Sequence, residues 1–227
     1  KELYLSELEK AQKEIQKIEE DQTVSQNQFF ILSLLTRLRQ ICIDPSLIFD
    51  DYHGGSSKFD TLLPILEEMI QNQHKILLFS QFPSVLKNLM PHLDAHHIRY
   101  LYLDGSTKAG ERMQLVKQFH QDDTPVFLIS LKAGGTGLNL TIADEVIHLD
   151  PWWNPQVENQ ATDRTHRIGQ TKTVEVIKLI SIGTIEEKII ALQEKKKALS
   201  DMMIEGEQRS EMVLSKLSSD ELLNLFQ

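Results

Sequence analysis

VFLISLKAGGTGLNL, residues 126–140, joins a short apolar run to a glycine-rich loop, and this stretch decides the fold. VFLI is apolar on both faces, which is typical of a parallel strand covered on both sides of its sheet. Helical patterns at about 58–71, 84–95, 108–121 and 156–167 alternate with further short apolar runs. The other predicted strands are KILLFS from Lys75, RYLYLD from Arg99, EVIHLD from Glu145 and VEVIKLI from Val174. The sequence therefore predicts an α/β fold, a doubly wound, mostly parallel sheet.

Charged helices are predicted on both sides of this α/β segment. Residues 2–20 have apolar side chains at loosely helical spacing, which predicts an exposed helix. A second helix is predicted over 26–43, and a third runs from Thr184 to about Ile204, where Gly206 ends it. The basic run at 195–197 is expected to form a solvated turn of that helix. The apolar face of the second helix comprises Phe29, Phe30, Leu32, Leu34, Leu35, Leu38 and Ile41.

A flexible joint, HGGSS at residues 53–57, marks the candidate internal boundary. We therefore expect three parts along the chain. They are a helical lead-in over 1–53, the α/β domain over 54–182, and a brace helix followed by an acidic helical tail over 183–227.

Composition and charge restrict the class of protein. The 227 residues are 41% hydrophobic and 25% charged, which is ordinary for a globular protein. The 24 Lys and Arg against 33 Asp and Glu give a net charge of −9, so any site for a polyanion must be local. The single Cys42 predicts a buried thiol, not a disulfide framework or a zinc site, and suits a reducing compartment. No apolar stretch approaches the roughly 20 residues of a membrane span.

The glycine-rich loop is a candidate phosphate site. Gly134, Gly135 and Gly137 allow main-chain N–H groups to approach an anion closely, and Lys132 adds a charge. The loop is not a Walker A motif, because the Gly-Lys-Ser/Thr triplet is absent, and Leu140 stands where a Rossmann fingerprint needs its third glycine. A tight strand-to-helix turn is the alternative, which the glycine cluster alone favours.

DPWWNP at residues 150–155 places two adjacent tryptophans between prolines. One tryptophan is expected to pack in the core. The other tryptophan is available to contact a ligand, and nucleic acid is the natural partner of an exposed aromatic ring. Considered without the other motifs, the segment favours plain packing of both.

QATDRTHRIGQ at residues 160–170 combines an amide with two guanidinium groups. Gln160, Arg164 and Arg167 stand at i, i+4 and i+7, so on a helix they project from one face. Guanidinium groups match phosphate oxygens in bidentate fashion, as the stabilisation of a transferring phosphoryl group requires. The alternative is a solvated helix face in which Asp163 pairs with Arg167.

In this order, the segments resemble the second RecA-like lobe of the Swi/Snf-type ATPases, a branch of the superfamily 2 helicases. The resemblance covers nearly the whole chain, including the helical lead-in at 35–48 and the bracing helix at 183–199. The matching stretches are ILLFSQF from Ile76 for motif IV, LYLDGST from Leu101 for the segment after it, LISLKAGGTGLNL from Leu128 for motif V, DPWWNP for the segment between motifs V and VI, and QATDRTHRIGQ for motif VI.

The resemblance implies a role for each matching residue. Arg164 and Arg167 would reach across a cleft to the phosphates of ATP bound on the other lobe, with Gln160 supporting them. Gly137 and Asn139 would lie near the nucleotide. The residues that match positions along the DNA track are Ser80, Gln81, Ser106, Thr107, Lys132, Gly134, Gly135 and Trp153.

The resemblance also implies that the chain is half of a motor. ATP hydrolysis needs a phosphate-binding loop with its lysine, a Mg²⁺-binding carboxylate and a residue that positions water, and all three belong to the first lobe. ATP and Mg²⁺ are therefore expected to be bound mainly by the first RecA-like lobe of the same polypeptide. The expected partners are that lobe, double-stranded DNA and a DNA-bound protein target, with no membrane.

As part of an ATP hydrolase, the chain would supply arginine fingers and part of the DNA track, and alone it would not hydrolyse ATP. Two alternatives stay open: a strand-separating helicase lobe, and a non-catalytic α/β protein-interaction module. The compact lobe and the acidic helix before Gln227 favour a bacterial, cytoplasmic and nucleoid-associated protein. A eukaryotic member would be nuclear.

Overall fold

A computed structural model describes residues 1–24, 26–134, 138–152, 154, 173–202 and 218–227. These residues divide into two compact units. The helical unit contains the described residues of 1–55 and 181–227, with Asn154. The α/β unit contains the described residues of 56–152 and 173–180. The three-part division expected at 54 and 182 stays a prediction.

The described strands are β1 (Ile76–Ser80), β2 (Tyr100–Leu103), β3 (Val126–Ser130), β4 (Glu145–His148) and β5 (Glu175–Lys178). The described helices are α1 (Glu2–Glu20), α2 (Gln28–Ile43), α3 (Ser57–Gln71), α4 (Pro83–Ala95), α5 (Ala109–Gln121), α6 (Leu131–Gly134), α7 (Ile185–Met202) and α8 (Ser219–Asn224), with a 3₁₀ helix at Pro45–Leu47.

The five strands form one sheet in the order β2-β3-β1-β4-β5. All four pairings are parallel, so the predicted doubly wound parallel sheet is confirmed. Every residue of β1 and β3 is buried, as their two-sided apolar sequences predict. The five predicted strands all exist, and their ends differ from the prediction by two residues at most. The predicted helix at 156–167 lies outside the described residues.

The buried stripe of α1 differs from the prediction. Tyr4, Ala11, Ile15 and Ile18 are buried at heptad-like spacing, whereas Leu3 and Leu5 are exposed. The expectation of an exposed helix is therefore wrong for this stripe, which packs into the core of the helical unit. The apolar residues used for the prediction included Ile15 and Ile18, which are buried, and Leu3 and Leu5, which are exposed, because helical geometry selects the row through Tyr4.

The apolar face predicted for α2 is narrower than expected. Ile31, Leu35 and Leu38 are buried, but Phe29 is 88% exposed and Phe30 is 43% exposed. A helix of this unit buries only the stripe that faces its neighbours, so an apolar residue off that stripe stays in solvent. Cys42 is buried, as predicted.

α8 and the residues directly after it complete the core of the helical unit with Leu222, Leu225 and Phe226. The buried Lys196 of α7 lies 3.2 Å from Glu221 of α8, measured from Nζ to Oε2. The prediction of a solvated lysine run is therefore wrong at Lys196, because a carboxylate distant in sequence pairs with it. In the described part of the chain, no helix is long and apolar enough to cross a membrane.

Candidate functional site

The carboxyl ends of the parallel strands share one edge of the sheet, which we call the carboxyl edge. Ligands of open α/β sheets bind at such an edge. Neighbouring strands lie about 4.8 Å apart, so the ends of β2, β3, β1 and β4 form a row about 14 Å long. In that order the row carries Ser106 and Thr107, then Lys132 and Gly134, then Ser80 and Gln81, then Asp150.

The loop after β2 is held by Asp104. One carboxylate oxygen, Oδ1, accepts from the Ser106 N–H at 2.8 Å and from the Ser106 hydroxyl at 2.6 Å. The other, Oδ2, accepts from the Tyr102 hydroxyl at 2.7 Å. The hydroxyl of Ser106, with that of Tyr102, lowers the pKa of Asp104 to about 2. The loop is therefore built around a carboxylate that is ionised at neutral pH and that turns its main chain.

Arg112 of α5 donates hydrogen bonds to main-chain carbonyls of the same loop. Its Nε donates to the Thr107 carbonyl at 2.8 Å, and its Nη2 donates to the Gly105 carbonyl at 3.3 Å. The Thr107 hydroxyl accepts from the Asp104 N–H at 3.1 Å. Ser106 is exposed and Thr107 is partly exposed, so the loop presents both residues on a rigid main chain.

The loop after β1 is joined to the end of β4. Ser80 is buried, and its hydroxyl donates to Asp150 Oδ1 at 2.6 Å. The Gln81 N–H donates to the same oxygen at 3.2 Å, and the Phe82 N–H donates to the Ser80 hydroxyl at 3.1 Å. Ser80 therefore bonds inward, and Gln81 is the partly exposed residue of this pair.

The segment after β3 begins with the single helical turn α6. Leu131 and Ala133 are buried, and Lys132 between them is exposed at the carboxyl edge. The main chain of Gly134 is helical, so a strand-to-helix turn describes 131–134. Asn139 is exposed, and its carbonyl oxygen lies 3.0 Å from His120 Nε2.

Several predicted site residues lie outside the described residues. Trp152 is partly buried and packs against the core of the α/β unit, as expected for one of the two tryptophans. The predicted residues outside the description are Gly135, Gly137, Trp153, Gln160, Arg164 and Arg167.

Lys58 of α3 places a buried ammonium group at the carboxyl ends of β4 and β5. Its Nζ donates to the carbonyl of Leu149 at 2.6 Å and to that of Leu179 at 2.9 Å. These carbonyls follow β4 and β5. The N-cap hydroxyl of Ser56 accepts from the Phe59 N–H at 3.2 Å and so fixes the turn that carries Lys58.

No site role was predicted from the sequence for Lys58, Asp104, Arg112 or Asp150. The spacing Asp104-x-Ser106 after a strand is a readable signal, because an aspartate binds the main chain two residues on. Lys58, Arg112 and Asp150 bond to groups distant in sequence or to carbonyls, and no local pattern reveals such partners.

Comparison with protein families and solved structures identifies the fold family. Residues 57–169 match the family model "Helicase conserved C-terminal domain". The solved Sulfolobus solfataricus SWI2/SNF2 ATPase C-terminal domain is 31% identical, with a TM-score of 0.72, and the match covers 98% of this chain and 90% of that one. This chain belongs to the SWI2/SNF2 ATPases.

Bacterial proteins named as ATP-dependent helicases are also similar to this chain. The putative ATP-dependent helicase/translocase YwqA of Bacillus subtilis is 42% identical over 212 residues, which cover 90% of this chain and 22% of that protein. An uncharacterized ATP-dependent helicase of Mycoplasma pneumoniae is 40% identical over 230 residues, covering 99% of this chain and 21% of the other. The chain thus spans about a fifth of the length of these curated relatives.

One similar solved structure is a complex with DNA. The Sulfolobus solfataricus SWI2/SNF2 ATPase core in complex with double-stranded DNA is 32% identical, with a TM-score of 0.72, over 95% of this chain and 47% of that one. Among the residues described for our chain, no group of three His, Cys, Asp or Glu side chains is arranged to hold a metal ion. The role predicted for Gln160, Arg164 and Arg167 at ATP phosphates stays a prediction, because these residues lie outside the described part of the chain.

Proposed function

We propose that this chain is the C-terminal half of the motor of an ATP-dependent double-stranded DNA translocase. The observation that carries the proposal is the row of polar side chains along the carboxyl edge of a SWI2/SNF2 domain. Three of its strand ends carry the exposed or partly exposed residues Ser106, Thr107, Lys132 and Gln81. These three strand ends span about 10 Å, which is about three base-pair steps of 3.4 Å along the axis of a DNA duplex.

Hydroxyl and ammonium donors, such as those of Thr107 and Lys132, suit the phosphate backbone and carry no base information. In the loop after β2, Asp104 accepts from both donors of Ser106, so the donor that this preorganised loop offers to DNA is the Thr107 hydroxyl. This local donor set explains how a chain of net charge −9 can bind a polyanion. Binding is therefore expected to be independent of DNA sequence and weak for this chain alone.

Arg164 and Arg167 act in this proposal on ATP held by the first lobe, with Gln160 supporting them. Guanidinium groups stabilise the charge that spreads over the phosphoryl oxygens in the transition state. ATP bound with Mg²⁺ supplies the free energy, and the phosphate loop and metal-binding carboxylate come from the first lobe. Closure and opening of the cleft between the lobes would move them along one strand of the duplex.

The first experiment compares this 227-residue chain with the complete polypeptide that contains it. The complete polypeptide is expected to hydrolyse ATP faster when duplex DNA is added, and the chain alone is expected to show no DNA-stimulated hydrolysis. Turnover that stays with the purified chain and disappears in its Arg167→Ala variant would overturn the half-motor proposal. A complete polypeptide without ATPase activity would support the interaction module instead.

A second experiment separates translocation from strand separation. A translocase on duplex DNA displaces the third strand of a triplex, and a helicase releases one strand of the duplex. The complete polypeptide is expected to displace the third strand in the presence of ATP and to leave the duplex paired. ATP-dependent release of a duplex strand without triplex displacement would assign the lobe to a strand-separating helicase.

A further inference from the structure

We propose that Lys58 and Asp150 are positioning residues that fix the start of the segment carrying Arg164 and Arg167. The inference rests on the function proposed above. Neither side chain needs to touch ATP or DNA for this role. They hold the main chain from which the arginines depart.

Lys58 is 5% exposed, and an ammonium group at such a position must be hydrogen-bonded to be tolerated. Its Nζ reaches the Leu149 carbonyl at 2.6 Å and the Leu179 carbonyl at 2.9 Å. Charge-assisted bonds of this kind are roughly twice as strong as neutral ones. One side chain therefore joins the carboxyl ends of β4 and β5.

These two strands flank the arginine segment in the sequence. The chain leaves β4 through Leu149 and Asp150, passes Arg164 and Arg167, and returns to the sheet in β5. Lys58 thus holds both the strand that precedes the arginines and the strand that follows them. Displacement of the Leu149 carbonyl would shift the point from which the segment starts.

Asp150 fixes the same point from the opposite side. The carboxylate is 3% exposed, and its Oδ1 accepts from the Ser80 hydroxyl at 2.6 Å and from the Gln81 N–H at 3.2 Å. Gln81 belongs to the predicted DNA track, and Asp150 stands ten positions before Gln160 in the sequence. The network therefore joins a candidate DNA loop to the start of the arginine segment.

Lys75 offers a matched control within the same sheet. Its Nζ donates to the carbonyls of Phe119 at 3.1 Å, Asp122 at 2.6 Å and Thr124 at 2.9 Å. Lys75 immediately precedes β1, so these bonds lie at the amino ends of the strands, opposite the carboxyl edge. Both lysines bind main-chain carbonyls, but only Lys58 holds the strand end from which the arginine segment starts.

The experiment introduces Lys58→Met and Lys75→Met separately into the complete polypeptide. Both changes are expected to lower the thermal midpoint. Lys58→Met should lower kcat for duplex-stimulated ATP hydrolysis by about 10- to 100-fold, the loss typical of slightly misplaced catalytic groups. KM for ATP and Kd for duplex DNA should stay within about twofold, and Lys75→Met should keep kcat within about twofold.

A double variant tests whether Lys58 acts through the arginines. In an Arg167→Lys background, Lys58→Met should lower kcat by a smaller factor than in the wild type, because groups that act as a unit are not additive. Equal factors in the two backgrounds would overturn the inference. If Lys58→Met does not fold, the Asp150→Asn variant provides the test. A kcat at least about threefold lower than that of the wild type supports the inference, and an unchanged kcat overturns it.

The outcomes separate this inference from the proposed function. If Arg167→Ala abolishes hydrolysis but Lys58→Met keeps the wild-type kcat, only the positioning role fails. Normal hydrolysis in Arg164→Ala and Arg167→Ala would remove the arginine role and the inference with it. Equal loss of kcat in Lys58→Met and Lys75→Met would reduce Lys58 to a general structural residue and overturn the inference.

Discussion

Single residues shape the carboxyl edge mainly through bonds to the main chain. Asp104 accepts an N–H two residues on, Arg112 donates to the carbonyls of the same loop, and Lys58 donates to two strand-end carbonyls. Such bonds leave few polar groups free to rearrange when a ligand arrives. The edge is therefore a preorganised surface at the level of individual side chains.

Asp104 is expected to make the stability of the α/β unit depend on pH. Bonds from Ser106 and Tyr102 lower its pKa to about 2. A lowered carboxyl pKa stabilises the fold above the unfolded-state value of about 4, and this contribution is lost as the pH falls from about 4 toward 2. The stability difference between wild type and Asp104→Asn should be constant near neutral pH and should shrink below about pH 4.

Urea unfolding at pH values from about 7 down to about 3 measures this difference. Asp51→Asn, at an exposed position in the other unit, is the matched control. A difference between wild type and Asp104→Asn that stays constant over the whole range would show that the Asp104 network does not stabilise the ionised carboxylate.

Lys132 is expected to contribute one phosphate contact. Lys132→Ala should weaken binding of the complete polypeptide to duplex DNA and should reduce the slope of log K against log salt by about one unit. The reduction should be alike for duplexes of unrelated sequence. Fluorescence anisotropy over a salt series measures it, with the exposed Lys117→Ala in the second half of α5 as control. An unchanged slope would remove Lys132 from the DNA track.

At the scale of single residues, the sequence predicts positions where the signal is local, and their contacts with DNA stay predictions. Lys132 and Ser106 were identified from their motifs, and both are exposed at the carboxyl edge. Ser80 was identified in the same way, but its hydroxyl points to Asp150, a partner 70 positions away. Partners at such distances arise from the strand order, which no short motif contains.

Among the elements, α8 shows how a short helix can matter for stability. Ser218 and Glu221 form a capping box, in which the Glu221 N–H donates to the Ser218 hydroxyl and the Ser218 N–H donates to Glu221. The Phe226 carbonyl just after the helix accepts from Gln12 Nε2 at 2.7 Å. The helix is therefore joined to the rest of the helical unit by polar bonds as well as by its apolar side chains.

Phe226→Ala is expected to destabilise the helical unit by about 3–5 kcal/mol, because the ring is 1% exposed and its removal leaves a cavity. Asn224→Ala, at an exposed position of the same element, should change stability by no more than about 0.5 kcal/mol. Chemical unfolding of both variants provides the comparison. Equal stability of the two would show that α8 is not part of the folded core.

The type of the strands and of α1 and α2 was predicted correctly, but the side chains that these two helices bury were predicted poorly. β1 and β3 follow from runs whose residues are apolar on both faces, so their type does not depend on tertiary contacts. β2 is buried at alternate residues, and β5 is mostly exposed. The buried stripes of α1 and α2 depend on which neighbour each helix meets. Leu3 and Phe29 are apolar yet exposed for that reason. Lys196 is buried because α8 supplies Glu221.

At the scale of the whole molecule, the proposed motor needs groups from more than one lobe. This chain spans about a fifth of its curated relatives, and its sequence offers arginines and phosphate-binding donors without a phosphate loop that carries its own lysine. Family and fold could be predicted because several motifs occur together in a fixed order. The arrangement of Arg164 and Arg167 relative to ATP could not, because it depends on a second lobe.

The most direct test of the central claim replaces each arginine in the complete polypeptide. An arginine finger acts mainly in the transition state, so Arg167→Ala and Arg164→Ala should each lower kcat for duplex-stimulated hydrolysis by a factor on the order of 10³ to 10⁵. Arg167→Lys should restore little, because an ammonium lacks the planar guanidinium fork. KM for ATP, duplex binding and the thermal midpoint should change far less. Near-normal kcat in both alanine variants would contradict the account and return motif VI to a solvated helix face.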